Sequence, residues 1–174
     1  MENLPQLLMR HPDISALPPL VLPEGFSLHT HTDGMDTQWE HVIEDAFGKH
    51  FSFDSFIRHG GGYAPEYVLY ISKGGKTIAT TTAIENEKYP GQGWLRMVAV
   101  SPEARGMGLG KLITLAALHS LAARGYKTVL LSTDGRRIPA ISLYLSLGFQ
   151  PIYTHESHAL RWENVFAILN NQAK

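Results

Sequence analysis

The chain has 174 residues, 44% of them hydrophobic, and a formal net charge of −1 from 15 basic and 16 acidic side chains. This length and composition predict one folded domain with a sizeable core, and the absence of a basic face argues against nucleic acid as a partner. The chain has no cysteine, which excludes disulfides, thiolate catalysis and cysteine-based metal sites. Neither a signal peptide nor a membrane-spanning apolar run is recognisable, so we expect a cytoplasmic protein with no membrane partner.

The first part of the chain is predicted to be irregular and then to form one strand and two helices. Five prolines within residues 1–24 predict an N-terminal arm, and residues 25–174 are expected to form the folded domain. Phe26–Thr30 is a predicted strand. Apolar residues then recur at helical spacing up to Phe47, and a second short helix is predicted from about Phe53 to residue 59.

The remainder alternates between strands and helices. Two β-branched runs joined by Lys73-Gly74-Gly75 predict a hairpin, and a third run follows it. A long helix, a strand, a helix ended by Gly148, a short strand and an amphipathic helix complete the order. This order predicts an α/β fold with a single mixed, mostly antiparallel central sheet flanked by helices. The predicted elements are Tyr67–Ser72, Lys76–Glu85, Trp94–Val100, Gly108–Arg124, Lys127–Thr133, Ile138–Leu147, Phe149–Thr154 and a C-terminal helix that contains Trp162.

A glycine-rich segment between the third strand of that group and the long helix carries the chemical signal. Gly106, Gly108 and Gly110 alternate along it, and glycine has no Cβ to prevent a sharp turn. The start of the helix adds unpaired N–H donors and a partial positive charge. Together with Arg105 and Lys111, this segment predicts a binding site for a diphosphate.

Three phosphate-binding patterns compete for this segment. A Walker loop fails twice, because Arg105 replaces its first glycine and Leu112 replaces the residue that should hold magnesium. A dinucleotide-binding fingerprint is weak, because the spacing is G-x-G-x-G and hairpin strands precede it. The third pattern, Arg-x-x-Gly-x-Gly at a strand-to-helix turn, fits residues 105–110.

That third pattern resembles the acyl-CoA site of the GNAT superfamily of N-acyltransferases. A second segment, residues 139–149, is similar to the family's A-[IV]-x-L-Y-x-x-x-G-F motif and lies one helix and one strand downstream. The resemblance covers about residues 66–155. It implies a splayed strand pair that forms an acyl-CoA cleft, with acetyl-CoA as co-substrate and no metal.

The resemblance also implies roles for individual residues. The strand before the turn would carry a bulge, and the Val98 amide would stabilise the oxyanion. Tyr144 would protonate the leaving thiolate, and Glu85 would hold a water that acts as general base. Other interpretations are a core tyrosine for Tyr144, a solvated strand end for Glu85 and a surface residue or helix cap for Arg137. The implied cofactor-binding residues are Val98, Ala99, Val100, Arg105, Gly106, Met107, Gly108, Leu109, Gly110, Lys111, Ser132, Thr133 and Arg137.

The implied function is transfer of an acetyl group from acetyl-CoA to a primary amine, of a small molecule or a peptide, through a tetrahedral intermediate. The alternatives are a non-catalytic acyl-CoA sensor or interaction domain of the same fold and, with less support, a nucleotide-binding protein. A homodimer is left open. Asp33, Asp36, Glu85 and Glu87 weakly favour a cationic acceptor. The pair His29 and His31 has three interpretations: metal ligands, acceptor-site lining or polar surface residues.

Overall fold

One mixed sheet of seven strands organises the residues that the structure describes, 4–172 of a computed structural model. The order of strands across the sheet is β2-β3-β4-β5-β6-β1-β7. The strands are β1 (Leu7–His11), β2 (Phe26–Thr30), β3 (Val68–Lys73), β4 (Lys76–Glu85), β5 (Gly93–Val100), β6 (Val129–Thr133) and β7 (Gln150–Ile152).

Strand pairing is antiparallel everywhere in this sheet except between β5 and β6. The predicted hairpin is confirmed: Lys73 pairs with Lys76, and Gly74 and Gly75 both have positive φ, as a tight two-residue turn requires. The single parallel pair joins the hairpin-connected half of the sheet to the half with helical crossovers. The mixed, mostly antiparallel architecture predicted from the sequence is therefore confirmed.

Helices cover both faces of the sheet. They are α1 (Asp36–Phe47), α2 (Leu109–Ala123), α3 (Ile138–Ser146) and α4 (Ser157–Gln172), with a single π-helical turn at Asp54–Arg58. Alternate residues of β3 separate the faces, because Leu69 and Ile71 belong to the core beneath α2 whereas Tyr70 belongs to the core beneath α1. The core beneath α1 therefore lies on the face of β3 opposite to the core beneath α2, and α1 packs against β4 and β5.

The N-terminal segment departs from the prediction of an irregular arm. Leu7–His11 form β1, which lies between β6 and β7 and pairs with both. Leu7 and Met9 are fully buried in the main core. Proline has no N–H to donate to a neighbouring strand. Pro5 and Pro12 both lie outside this strand, so they do not prevent its pairing. The partners of β1 are more than a hundred residues away, so no local pattern could indicate the pairing.

A buried polar chain fixes α1 to the sheet. The His31 ring, 3% exposed, bonds to the Tyr70 hydroxyl through Nδ1 at 2.8 Å and contacts Asp36 through Nε2 at 3.1 Å. Asp36 also accepts hydrogen bonds from both terminal nitrogens of Arg58. Burial lowers the pKa of His31, so the ring is held neutral. His31 is therefore not a polar surface residue.

None of the helices within residues 4–172 has both the length and the apolar character needed to cross a membrane.

We expect Leu7→Ala to lower the free energy of unfolding by roughly 2–5 kcal/mol, because it would leave a cavity in a closed core. Leu4→Ala makes the same change at a side chain that is 48% exposed and should stay within about 0.5 kcal/mol of the parent protein. Urea denaturation followed by circular dichroism would measure both values. Equal effects of the two substitutions would contradict the placement of β1 inside the sheet.

Candidate active site

A β-bulge interrupts β5 where it faces β4. Thr80 pairs with Ala99 and Thr82 pairs with Arg96, so a step of two residues on β4 corresponds to a step of three on β5. The additional residue lies next to Met97, which has a φ of 55° and is the non-glycine residue with positive φ in the described part of the chain. The Thr81 hydroxyl donates to the Arg96 carbonyl at 3.1 Å and stabilises this distorted stretch. The bulge that the family resemblance implied is confirmed.

Strands β5 and β6 separate directly after their first residues. Their parallel register runs from Gly93–Val129 to Leu95–Leu131 and then stops. Strand β6 remains in the sheet because β1 pairs with it as far as Thr133. The bulged half of β5 therefore diverges from a neighbour that is held in place, and a cleft opens between the two strands.

The glycine-rich turn at the end of β5 uses its glycines for two different reasons. Gly106 and Gly108 have φ values of 80° and 75°, a conformation that side chains disfavour. Gly110 is needed for packing, because a Cβ there would lie 3.3 Å from Leu143 Cδ2. Within residues 4–172, none of the five amides from Gly106 to Gly110 donates to a protein acceptor. These donors, at the N-terminus of α2, suit an anion.

Two cavities adjoin this turn and the separated strands. The first, which we call the turn cavity, has a volume of about 760 Å³ and lies against the glycine-rich turn. Its lining residues are Ala46, Phe47, Val98, Ala99, Val100, Ala104, Arg105, Gly106, Gly108, Leu109, Gly110, Lys111, Arg137, Pro139, Ala140, Leu143 and Tyr144.

The second, which we call the splay cavity, has a volume of about 470 Å³ and lies between β5 and β6. Its lining residues are Gln6, Phe47, Phe51, Phe56, Asn86, Trp94, Leu95, Arg96, Met97, Val98, Leu131, Ser132, Thr133, Asp134, Arg137, Ala140 and Tyr144. Ser132 and Thr133, which were expected to bind the cofactor, line this cavity and not the turn cavity. Met107 lines neither cavity, and its side chain is half exposed.

The two cavities are adjacent and share part of their lining, and we refer to them together as the cleft. The residues that line both are Phe47, Val98, Arg137, Ala140 and Tyr144. Tyr144 is only 7% exposed, and burial raises its pKa to about 12. Its phenol therefore keeps its proton at neutral pH, beside both cavities. Two residues predicted to be catalytic, Val98 and Tyr144, are thus brought together.

Two arginines of the cleft contact the C-terminal end of α1. Arg137 lies over the ring of Phe47, with 4.3 Å from its central carbon to the ring centroid. Arg105 donates to the Ala46 carbonyl at 3.4 Å. Neither guanidinium forms an ion pair with a carboxylate of residues 4–172. Both charges are therefore available to an anionic ligand.

Glu85 lies apart from the other predicted catalytic residues. Its carboxylate accepts hydrogen bonds from the Gly91 amide at 2.6 Å and the Tyr126 hydroxyl at 3.0 Å, which lower its pKa. It lines neither cavity, and neither do Asp33 and Glu87, which are exposed. The general-base role of Glu85 stays a prediction that this geometry does not support.

The histidine pair does not reach the cleft either. His29 bonds to the Ser72 hydroxyl at 2.7 Å, and His31 is buried beneath α1. No group of three metal-ligating side chains was found among residues 4–172.

Four residues that line the splay cavity were not identified from the sequence. Two separate parts of the chain supply them: Phe51 and Phe56 follow α1, and Trp94 and Arg96 belong to β5. One local signal was present, because Arg96 is a charged residue within an otherwise apolar strand. Its partners could not be identified without the fold.

Comparison with known proteins agrees with this geometry. The family model described as "Acetyltransferase (GNAT) family" matches residues 33–149, which include the bulge, the glycine-rich turn and Tyr144. The chain belongs to the GNAT acetyltransferase family. The family predicted from the two sequence motifs is therefore confirmed.

Individual relatives of this GNAT chain are similar over part of their length. A mycothiol acetyltransferase from Pseudarthrobacter chlorophenolicus is 35% identical over 145 residues, which are 76% of this chain and 45% of the relative. The chain spans about half the length of the curated relatives it matches. A GCN5-related N-acetyltransferase from Sphaerobacter thermophilus has a TM-score of 0.71 at 25% identity and covers 84% of this chain and 48% of that one.

A second solved structure supports the fold alone. It is the diaminobutyrate acetyltransferase from Paenibacillus lautus in complex with L-2,4-diaminobutyric acid and coenzyme A, with a TM-score of 0.60 and 16% identity. The similarity covers 70% of this chain and 73% of that one.

We expect Met97→Gly to destabilise the protein by about 1 kcal/mol less than Val100→Gly, because glycine removes the strain of a left-handed backbone at position 97. Val100 is a half-buried residue of the same strand without a positive φ, so it serves as the matched position. Urea denaturation would compare the two variants. Equal losses would show that the bulge places no strain on Met97.

Proposed function

We propose that this GNAT protein transfers an acetyl group from acetyl-CoA to a primary amine of a small molecule or peptide. The observation that carries the proposal is the pair of adjacent cavities, in which unpaired turn amides border one cavity and Val98 and Tyr144 line both. This arrangement suits a long ligand with an anionic group at one end and a reactive group at the other.

The residues of the turn cavity fit coenzyme A. The five unpaired amides from Gly106 to Gly110 would hold its diphosphate, and Lys111 and Arg105 add positive charge at the same end. The backbone of Val98–Val100 faces the opened side of β5 and would pair with the pantetheine amides as an added strand would. Ser132 and Thr133 would form the opposite wall.

The chemistry proposed at Val98 and Tyr144 is direct transfer. The neutral nitrogen of the acceptor forms a bond to the carbonyl carbon of acetyl-CoA, the carbon–sulfur bond breaks, and the electron pair of that bond leaves with sulfur. The Val98 amide would stabilise negative charge that develops on the carbonyl oxygen. Tyr144 would donate its phenolic proton to the sulfur and regain one from solvent. The proton lost from nitrogen would leave through water.

A cytoplasmic location and the choice between a small molecule and a peptide stay predictions from the sequence. The chain spans about half the length of the curated relatives it matches, so the activity of this chain on its own is also a proposal.

We expect Gly108→Ala to raise the Kd for acetyl-CoA about 10-fold, because relief of a strained positive φ would turn the neighbouring amides away from their common target. Gly125→Ala is the control: it introduces the same strain, at a φ of 88°, after the other end of α2. Isothermal titration calorimetry would measure the affinity. If both variants bind like the parent protein, the turn does not hold the diphosphate.

We expect Tyr144→Phe to lower kcat by about 100-fold while the Kd for acetyl-CoA stays within twofold, because the ring is kept and only the proton donor is lost. Tyr153→Phe makes the same change at a side chain that is 59% exposed and should leave kcat unchanged. A thiol-release assay would follow turnover. With a pKa of about 12, Tyr144 should cause no loss of rate up to about pH 10. An unchanged kcat in Tyr144→Phe would remove the phenol from the mechanism.

A further inference from the structure

Arg96 lines the splay cavity, and its guanidinium lies against Phe56, which lines the same cavity. The side chain is half-buried, its Nη2 donates to the Phe56 carbonyl at 3.1 Å, and its central carbon lies 4.9 Å from the centroid of the Phe56 ring. That single hydrogen bond leaves most of the five N–H donors of the group without a protein acceptor among residues 4–172. Desolvation lowers the pKa of Arg96, which shows that this charge is held at a cost.

No carboxylate of the described residues compensates Arg96. The single acidic residue in the lining of the splay cavity is Asp134, and it pairs with Arg136 at 3.0 Å. The hydrogen bonds from Arg136 hold the pKa of Asp134 at about 2. With Asp134 neutralised by its neighbour, Arg96 and Arg137 leave the cavity with an excess of positive charge.

The acidic residues that the sequence analysis associated with the acceptor do not change this balance. Asp36 is held by Arg58 and His31 beneath α1, and Glu85 by the Tyr126 hydroxyl. None of the four acidic residues named there lines the splay cavity. The preference for a cationic acceptor is therefore not supported by the charges of the cavity.

We propose, on the basis of the proposed acetyl transfer, that the acceptor amine carries a carboxylate and that Arg96 binds it. A planar guanidinium with free donors matches a carboxylate with two parallel hydrogen bonds. Arg137 lines both cavities, whereas Arg96 lines the splay cavity alone, so one guanidinium remains for the acceptor by itself. That guanidinium balances the single negative charge of a carboxylate, whereas a phosphate monoester brings nearly two.

The aromatic walls of the splay cavity indicate a second property of the acceptor. The rings of Phe51 and Phe56 pack edge to face, 4.9 Å apart, and Trp94 stacks on Tyr89 at 5.6 Å. These rigid aromatic surfaces border the position of the bound carboxylate, so they suit an apolar body between the carboxylate and the amine. A volume of about 470 Å³ fits an amino acid or a short peptide end.

The test compares acceptors that differ only in charge. Free amino acids with apolar side chains (phenylalanine, tyrosine, leucine and methionine) and dipeptides of them would each be assayed beside the corresponding C-terminal amide, in a thiol-release assay with saturating acetyl-CoA. We expect the parent protein to prefer the free acid by at least about 10-fold in kcat/KM, calculated from the concentration of neutral amine. Arg96→Gln should abolish this preference, mainly through KM. Because the same pairs are used in both proteins, differences in amine basicity cancel.

Two control variants separate the charge from the fold. Arg10→Gln removes one positive charge at an exposed position of β1 outside both cavities and should keep the full preference. Arg96→Lys keeps the charge without the planar fork and should keep part of it. The KM for acetyl-CoA and the melting temperature should stay near the parent values in each variant. If amides and acids react equally well in the parent protein, or if Arg96→Gln leaves the preference intact, the assignment of Arg96 is wrong while acetyl transfer stands.

A binding measurement keeps the assignment testable without turnover. Calorimetry of the CoA-saturated protein with 3-phenylpropionate, which has the carboxylate and the apolar body but no amine, should give binding in the parent protein and in Arg10→Gln. Arg96→Gln should weaken this binding by about 10-fold or more. Absence of binding to the parent protein would overturn the carboxylate site. If 3-phenylpropionate binds as expected and no amine is acetylated, the carboxylate site is supported and the proposed function fails.

Discussion

The cleft depends on one additional residue in β5. An interior strand normally forms backbone hydrogen bonds along its whole length with a neighbouring strand on each side. For β5 these neighbours are the antiparallel β4 and the parallel β6. The bulge next to Met97 shifts the pairing with β4 by one residue, and the pairing with β6 ends just before it, at Leu95. Strand β6 cannot follow β5, because β1 holds it as far as Thr133. The free backbone and the adjoining cavities are consequences of this mismatch.

The features that were predicted correctly are those that local sequence determines. Three such features depend only on residues that are adjacent in the sequence: the positive φ values of Gly106 and Gly108, the start of α2 and the hairpin turn at Gly74. Helices with a clear apolar spacing, such as the one that contains Trp162, were also placed well. Tyr144 could be assigned to the cleft because a motif with a fixed spacing identified it.

The features that were missed depend on contacts between distant parts of the chain. Strand β1 is short and carries no distinctive pattern, and its stability comes from the edges of β6 and β7. The lining of the splay cavity combines the loop after α1, which supplies Phe51 and Phe56, with Trp94 and Arg96 of β5. The hydrogen bond between Glu85 and Tyr126 could not be predicted for the same reason, because the two residues are 41 positions apart. The residue types indicated which chemistry the chain could perform. The fold determined which of these residues lie together in a cavity.

The charge of the cleft also differs from what the composition of the whole chain indicates. The whole chain has a formal charge of −1, yet the cleft has an excess of positive charge. The difference arises because the nearby carboxylates already have partners: Asp36 has Arg58, and Asp134 has Arg136. A carboxylate that is paired with an arginine presents less net negative charge to a ligand than an unpaired one. The charge that an acceptor meets in the splay cavity is therefore set by the arginines of its lining that have no such partner, Arg96 and Arg137, and not by the sum over the sequence.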